Sequence, residues 1–198
     1  MGLIQLTFAG IGGQGSILAG TILGNAAVTY SGRYATQTQA FSSELRGGFA
    51  ATWVIFSDEP IVYPRVVQPD ILVAQAQDSI DRFAKTLKKD GILLFDSAMV
   101  RTVPPIAAKQ FTIAATSIAR NEFSAPIVAN IVMLGALTNV APVAERSSVE
   151  RAIADNVPKN KRELNIRAFA AGFDSVRACQ EAGAEAHWRK QIPHGAAE

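Results

Sequence analysis

The sequence predicts an α/β protein, a three-layer α/β/α sandwich around a mostly parallel or mixed sheet. Three observations predict it. Short aliphatic runs alternate with stretches of helical apolar spacing along the 198 residues. Hydrophobic residues make up 48% of the chain and charged residues only 18%, which describes a folded protein with a large core. A glycine loop follows the first strand-like run and opens the first helix-like one.

In chain order, residues 3–9 (LIQLTFA) alternate and read as a strand. Residues 10–15 (GIGGQG) form the glycine loop, and 16–30 (SILAGTILGNAAVTY) a helix ending near Ser31-Gly32. A short second strand covers 33–39, and residues 40–48 (AFSSELRGG) form a second loop. Residues 49–56 (FAATWVIF) are a strong strand, closed by Ser57-Asp58-Glu59-Pro60, and 70–74 (DILVA) is a buried one.

The run 78–89 places Ile80, Phe83, Ala84 and Leu87 on one face of an amphipathic helix. Strands follow at 91–95 and 111–114. Residues 125–140 read as an apolar helix with Pro126 in its first turn. Residues 147–157 begin Ser-Ser-Val-Glu, the pattern of a capping box. A long final helix covers 161–179. No internal repeat or composition break appears, so residues 1–180 are expected to form one domain and 181–198 a tail.

The residue counts exclude several chemistries. Nineteen basic against seventeen acidic residues leave a net charge of +2, no basic field, and no expectation of nucleic-acid binding. A single cysteine, Cys179, cannot hold an iron–sulfur cluster or a tetrathiolate zinc. The two histidines, His187 and His194, fall in the last dozen residues, a poor place for a catalytic triad or a metal site. No catalytic residue and no metal ligand is therefore assigned. No stretch of ~20 apolar residues is present to span a membrane. With no export signal and one thiol, the expected location is the cytoplasm.

Gly10, Gly12 and Gly15 fit G-x-G-x-x-G in a Rossmann-like strand–loop–helix unit. Glycines let the backbone approach a ligand, and open N–H groups at a helix start favour a pyrophosphate or another anion. A purely structural tight turn uses the same residues. Ordinary dinucleotide recognition also needs an acidic residue near the end of the second strand, and no Asp or Glu occurs between Gly15 and Glu44. Arg33 is the only charged residue in that stretch, and it starts the strand rather than ending it. The loop is not a Walker A, because no lysine follows Gly15.

In the second loop, Glu44, Arg46, Gly47 and Gly48 offer a guanidinium beside exposed backbone amides, which suits a phosphate or carboxylate. The alternative is a surface loop with a local ion pair. Both loops follow strands, so in a parallel sheet they share the carboxyl edge, where ligands bind.

The combination GIGGQGS-x-L-A-G, SSELRGG before a strand, SDEPI and PDILVA resembles the gamma subunit, or gamma domain, of the 2-oxoacid:acceptor (ferredoxin) oxidoreductases. The resemblance covers about residues 3–140 and extends weakly to Cys179, and Asn130 with Leu134-Gly135-Ala136 is similar to its helix motif. It implies binding positions at Gly10, Gly12, Gly13, Gln14, Gly15, Glu44, Arg46, Gly47, Gly48 and Asn130.

It further implies a multi-subunit enzyme converting a 2-oxoacid and coenzyme A to acyl-CoA and carbon dioxide, with electrons passed to ferredoxin or another acceptor. Thiamine diphosphate, Mg2+ and [4Fe-4S] clusters would sit in partner subunits (alpha, beta and a ferredoxin-like delta). This chain would hold no redox cofactor of its own, would help bind coenzyme A and would close the active site. The loop residues Phe41-Ser42-Ser43 depart from the family's usual run, which leaves the 2-oxoacid open. Two other readings of the same residues are an NAD(P)-binding oxidoreductase and a non-catalytic assembly subunit.

Overall fold

Seven strands form one sheet in the order β2-β3-β1-β4-β5-β6-β7 in the computed structural model, which describes residues 3–42, 48–141 and 143–178. They are β1 (Ile4–Ile11), β2 (Tyr34–Phe41), β3 (Phe49–Ser57), β4 (Ile71–Ala74), β5 (Ile92–Asp96), β6 (Lys109–Ile113) and β7 (Arg177–Ala178). β1, β4, β5 and β6 run parallel. β3 is antiparallel to both β1 and β2, and β7 is antiparallel to β6. The sheet is thus mixed, with a parallel centre and antiparallel flanks.

The helices are α1 (Ser16–Asn25), which runs on into a π-helical turn (Ala26–Tyr30), α2 (Gln77–Phe83), α3 (Ala115–Asn121), α4 (Ala129–Val140), α5 (Arg146–Asn156) and α6 (Arg162–Ser175). Strand alternation sorts the two sheet faces. Leu6 and Phe8 of β1, Val54 and Phe56 of β3, Val73 of β4 and Leu94 of β5 point into a core shared with α1, α4, α5 and α6. On the other face, Leu72, Ala74 and Leu93 pack with Ile80, Ala84 and Leu87. That second layer covers β4 and β5. Over β1 and β3 the cover is residues 64–69, which leave a groove of about 490 Å³ lined by Thr7, Thr38, Trp53 and Phe83.

The central helix α4 is buried on nearly every side; of its twelve residues only Asn139 is exposed. That is why its sequence is apolar all round rather than amphipathic. It is wedged between the sheet and α6. Gly135 of α4 faces the Phe169 carbonyl of α6, and Gly172 of α6 faces the Val132 carbonyl of α4.

Several expectations need correction. The amphipathic helix of 78–89 is only α2 followed by a 3-10 turn (Ala84–Thr86). α3 lies in a stretch where no helix was expected. The capping box does not form: α5 begins at Arg146 with Glu145 at its N-cap, and Glu150 pairs with Arg146 at 2.9 Å instead of reaching back. The final helix stops at Ser175, and Arg177–Ala178 turn into the edge strand β7. Cys179 and the tail 181–198 lie outside the described residues. Among the described residues, no helix is long and apolar enough to cross a membrane.

Candidate anion-binding turn at the carboxyl edge

The glycine segment begins as strand. Gly10 and Ile11 still pair with Ala50 and Phe49 of β3, so the turn proper is Gly12-Gly13-Gln14. Gly15 stands at the N-cap of α1 with φ of 76°, and Gly13 has φ of 95°. Both need the left-handed region that glycine enters without strain.

The turn meets the β2–β3 hairpin directly. The Gly12 N–H donates to the Gly48 carbonyl at 2.7 Å. The two loops thus share one rim, as expected, but by a different route. The second strand of the chain does not lie beside the first; β3 runs back between them. β2 and β1 keep the same direction because each is antiparallel to β3. A dinucleotide-binding unit instead sets consecutive parallel strands side by side. Here β2 ends in Gln39, Ala40 and Phe41, with Phe41 65% exposed and no carboxylate among them.

Around the turn, three carboxamides make the frame. Gln14 Oε1 accepts from the Ile11 N–H at 2.6 Å, and its Nε2 donates to the Gln75 carbonyl at 3.4 Å. Gln75, just past the end of β4 and 2% exposed, donates from Nε2 to the Gln14 carbonyl at 3.2 Å and accepts from Ser16 Oγ at 2.7 Å. Asn130, at the start of α4 and 2% exposed, donates from Nδ2 to the Gly15 carbonyl at 3.1 Å. Gln14 and Asn130 therefore bond the loop itself.

The groups left open are backbone donors. The N–H groups of Gly13, Gly15, Ser16 and Ile17 have no hydrogen-bond partner among the described residues. They lie at the start of a ten-residue helix, where the macrodipole adds partial positive charge. Gly13 is exposed and Gly15 and Ile17 are half-buried, whereas Ser16 is buried, so the row of donors runs from solvent into the helix start. This arrangement can hold an anionic oxygen without a charged side chain.

Of the positions singled out in the sequence, Gly10, Gly12, Gly13, Gln14, Gly15, Gly48 and Asn130 come together at this rim. Glu44, Arg46 and Gly47 lie outside the described residues. Arg33 stands at the opposite edge, where Nε donates to Asp58 Oδ1 at 3.0 Å and an Nη atom to the Val143 carbonyl at 3.0 Å. Gln75 was missed, although the signal was present: an amide directly after a buried strand (DILVAQ) breaks an apolar run at the carboxyl edge.

Residues 5–175 match the profile of the pyruvate ferredoxin/flavodoxin oxidoreductase family. The chain is 44% identical over 175 residues to the 2-oxoglutarate synthase subunit KorC of Methanocaldococcus jannaschii, covering 87% of this chain and 94% of that one. A keto/oxoacid ferredoxin oxidoreductase gamma subunit from Geobacter sulfurreducens superposes with a TM-score of 0.78 at 38% identity, over 86% of this chain and 96% of that one. A 2-oxoglutarate:ferredoxin oxidoreductase from Magnetococcus marinus shares the fold at a TM-score of 0.78 and 21% identity. There the match covers 88% of this chain but only 31% of the longer one. On these matches the chain belongs to the pyruvate ferredoxin/flavodoxin oxidoreductase family, as one of its gamma-type members.

Proposed function

We propose that this chain works inside a cytoplasmic, multi-subunit 2-oxoacid:ferredoxin oxidoreductase, where its glycine turn, with Glu44, Arg46, Gly47 and Gly48, holds the diphosphate of coenzyme A. The observation that carries the reading is the Gly12–Gly48 hydrogen bond of 2.7 Å, which ties the glycine turn to the start of β3 beside open backbone donors. The Magnetococcus enzyme was solved with coenzyme A and succinyl-CoA bound, which supports the choice of ligand. The 44% identity to a 2-oxoglutarate synthase subunit supports 2-oxoglutarate as the oxoacid.

In this reading residues 1–180 act as one unit, with 181–198 appended. The chain contributes no catalytic residue. Thiamine diphosphate with Mg2+, and iron–sulfur clusters, held by alpha, beta and ferredoxin-like delta chains, supply decarboxylation and electron transfer. Open N–H groups at Gly13, Gly15, Ser16 and Ile17 bind phosphate oxygens, and Arg46 adds a cation. Fixing the carrier at its diphosphate confines its thiol to a small volume near the partner's reaction centre, which lowers the entropic cost of acyl transfer.

The test is steady-state kinetics on the assembled enzyme. Gly13→Ala and Arg46→Ala should each raise the KM for coenzyme A about tenfold, the equivalent of about 1.4 kcal/mol, with assembly intact. Normal assembly with an unchanged KM would leave the chain a scaffold. Micromolar NADH binding in a calorimetric titration would instead favour a nicotinamide enzyme. Purified alone, the chain should show no turnover.

A further inference from the structure

We infer that Gln75 is a positioning residue for this site, resting on the coenzyme A reading above: its side chain sets the direction of the open backbone donors at the start of α1. The side chain is 2% exposed and sits where three elements meet. Its own N–H donates to the Ala9 carbonyl of β1 at 2.8 Å, which ties its backbone to the sheet. From that anchor the amide grips the turn at both ends. Nε2 holds the Gln14 carbonyl at 3.2 Å, and Oε1 receives the Ser16 hydroxyl at 2.7 Å. The peptide links from Gln14 to Ser16 lie between those two points, and they carry two of the open N–H groups.

The packing around the amide is tight enough to fix its orientation. A methyl group on Gly10 would lie 2.6 Å from Gln14 Oε1, 2.8 Å from Ser16 Oγ and 3.1 Å from Gln75 Oε1. Any larger residue at position 10 would have to push these three side-chain oxygens aside. A carboxamide donates to the carbonyl and accepts from the hydroxyl through two separate atoms, and does so without bringing a charge next to a bound anion.

The experiment compares Gln75→Glu, Gln75→Met and Gly13→Ala in the assembled enzyme. Gln75→Glu keeps the acceptor for Ser16 but sets an oxygen against the Gln14 carbonyl; Gln75→Met keeps the bulk and loses both bonds. Each should raise the KM for coenzyme A about tenfold or more, while kcat and the KM for 2-oxoglutarate stay within about twofold. A residue that merely supports the fold would instead lower kcat or shift both KM values together, and that result in both Gln75 variants overturns the inference. An unchanged coenzyme A KM overturns it as well. If Gly13→Ala raises that KM and the Gln75 variants do not, only this inference fails; if none of the three changes it, the coenzyme A reading fails too.

Discussion

Asn130 and Gly15 hold one another in place: the asparagine Nδ2 donates to the Gly15 carbonyl at 3.1 Å, and a methyl group on Gly15 would come within 2.4 Å of that same nitrogen. Gly15 also has φ of 76°, so Gly15→Ala combines left-handed strain with a collision. The expected cost is about 2–4 kcal/mol. Asn130→Ala removes the bond without the collision and should cost about 1–2 kcal/mol. Denaturant unfolding of the full-length chain checks the order of the two variants.

The crossing of α4 and α6 admits no side chain at its two glycines. A methyl group at Gly135 would lie 2.0 Å from the Phe169 carbonyl oxygen, and one at Gly172 would lie 1.9 Å from that of Val132. Both obstacles are backbone, which cannot swing aside. Gly172→Ala should therefore destabilise by about 3 kcal/mol or more, as overpacked cores do, and lower the yield of soluble protein. A thermal midpoint within two degrees of the parent's would contradict this picture of the crossing.

Asp70 is a buried carboxylate at the amino edge of the sheet. It is 1% exposed, accepts from the Gln5 N–H at 2.8 Å and pairs with Lys88 at 2.7 Å. Lys88 is partly open to solvent, so the pair itself is screened. Asp70→Ala also strands the Gln5 N–H, and a loss of about 2 kcal/mol is expected. Lys88→Ala should cost less than Asp70→Ala, which a pair of denaturation curves resolves.

Tyr30 is held above the ordinary tyrosine value of 10.0, first by its hydrogen bond to Asp155, with Arg151 pulling the other way. The raised value fixes the sign. The bond's contribution is complete below the unfolded tyrosine's pKa and disappears as pH climbs through the folded value. Ultraviolet titration should show a tyrosinate transition above pH 10.0 that vanishes in Tyr30→Phe. That variant should also flatten the alkaline limb of the stability profile.

The strands were legible because their burial is written as alternation or as short aliphatic runs; β1, β3, β4 and β5 each lie within two residues of their expected bounds. The order of the strands was not. Nothing local in FAATWVIF says that β3 returns between β1 and β2, because a buried central strand reads alike in either direction. The Ser-Ser-Val-Glu cap failed for a competing reason: Arg146 lies one turn before Glu150 and takes its carboxylate. α3 has no capping signal of its own, since Asp96 supplies the cap from β5, accepting from the Thr116 N–H at 2.9 Å and its hydroxyl at 2.6 Å. In the site, glycine spacing revealed the turn, whereas Gln75 and Asn130 reach it across 61 and 115 residues of chain, a contact that no local pattern states.

The glycine-to-backbone crossing of α4 and α6 also orders the birth of the protein. α6 is the last helix among the described residues, and it packs against the central helix more extensively than α1 or α3 does. During synthesis the apolar flank of α4 must wait, wet and unprotected, until the ribosome has delivered nearly the whole described chain. The nascent polypeptide is therefore most prone to self-association late in translation. A truncation that ends before Arg162 should bind chaperones or precipitate instead of yielding a smaller stable sheet.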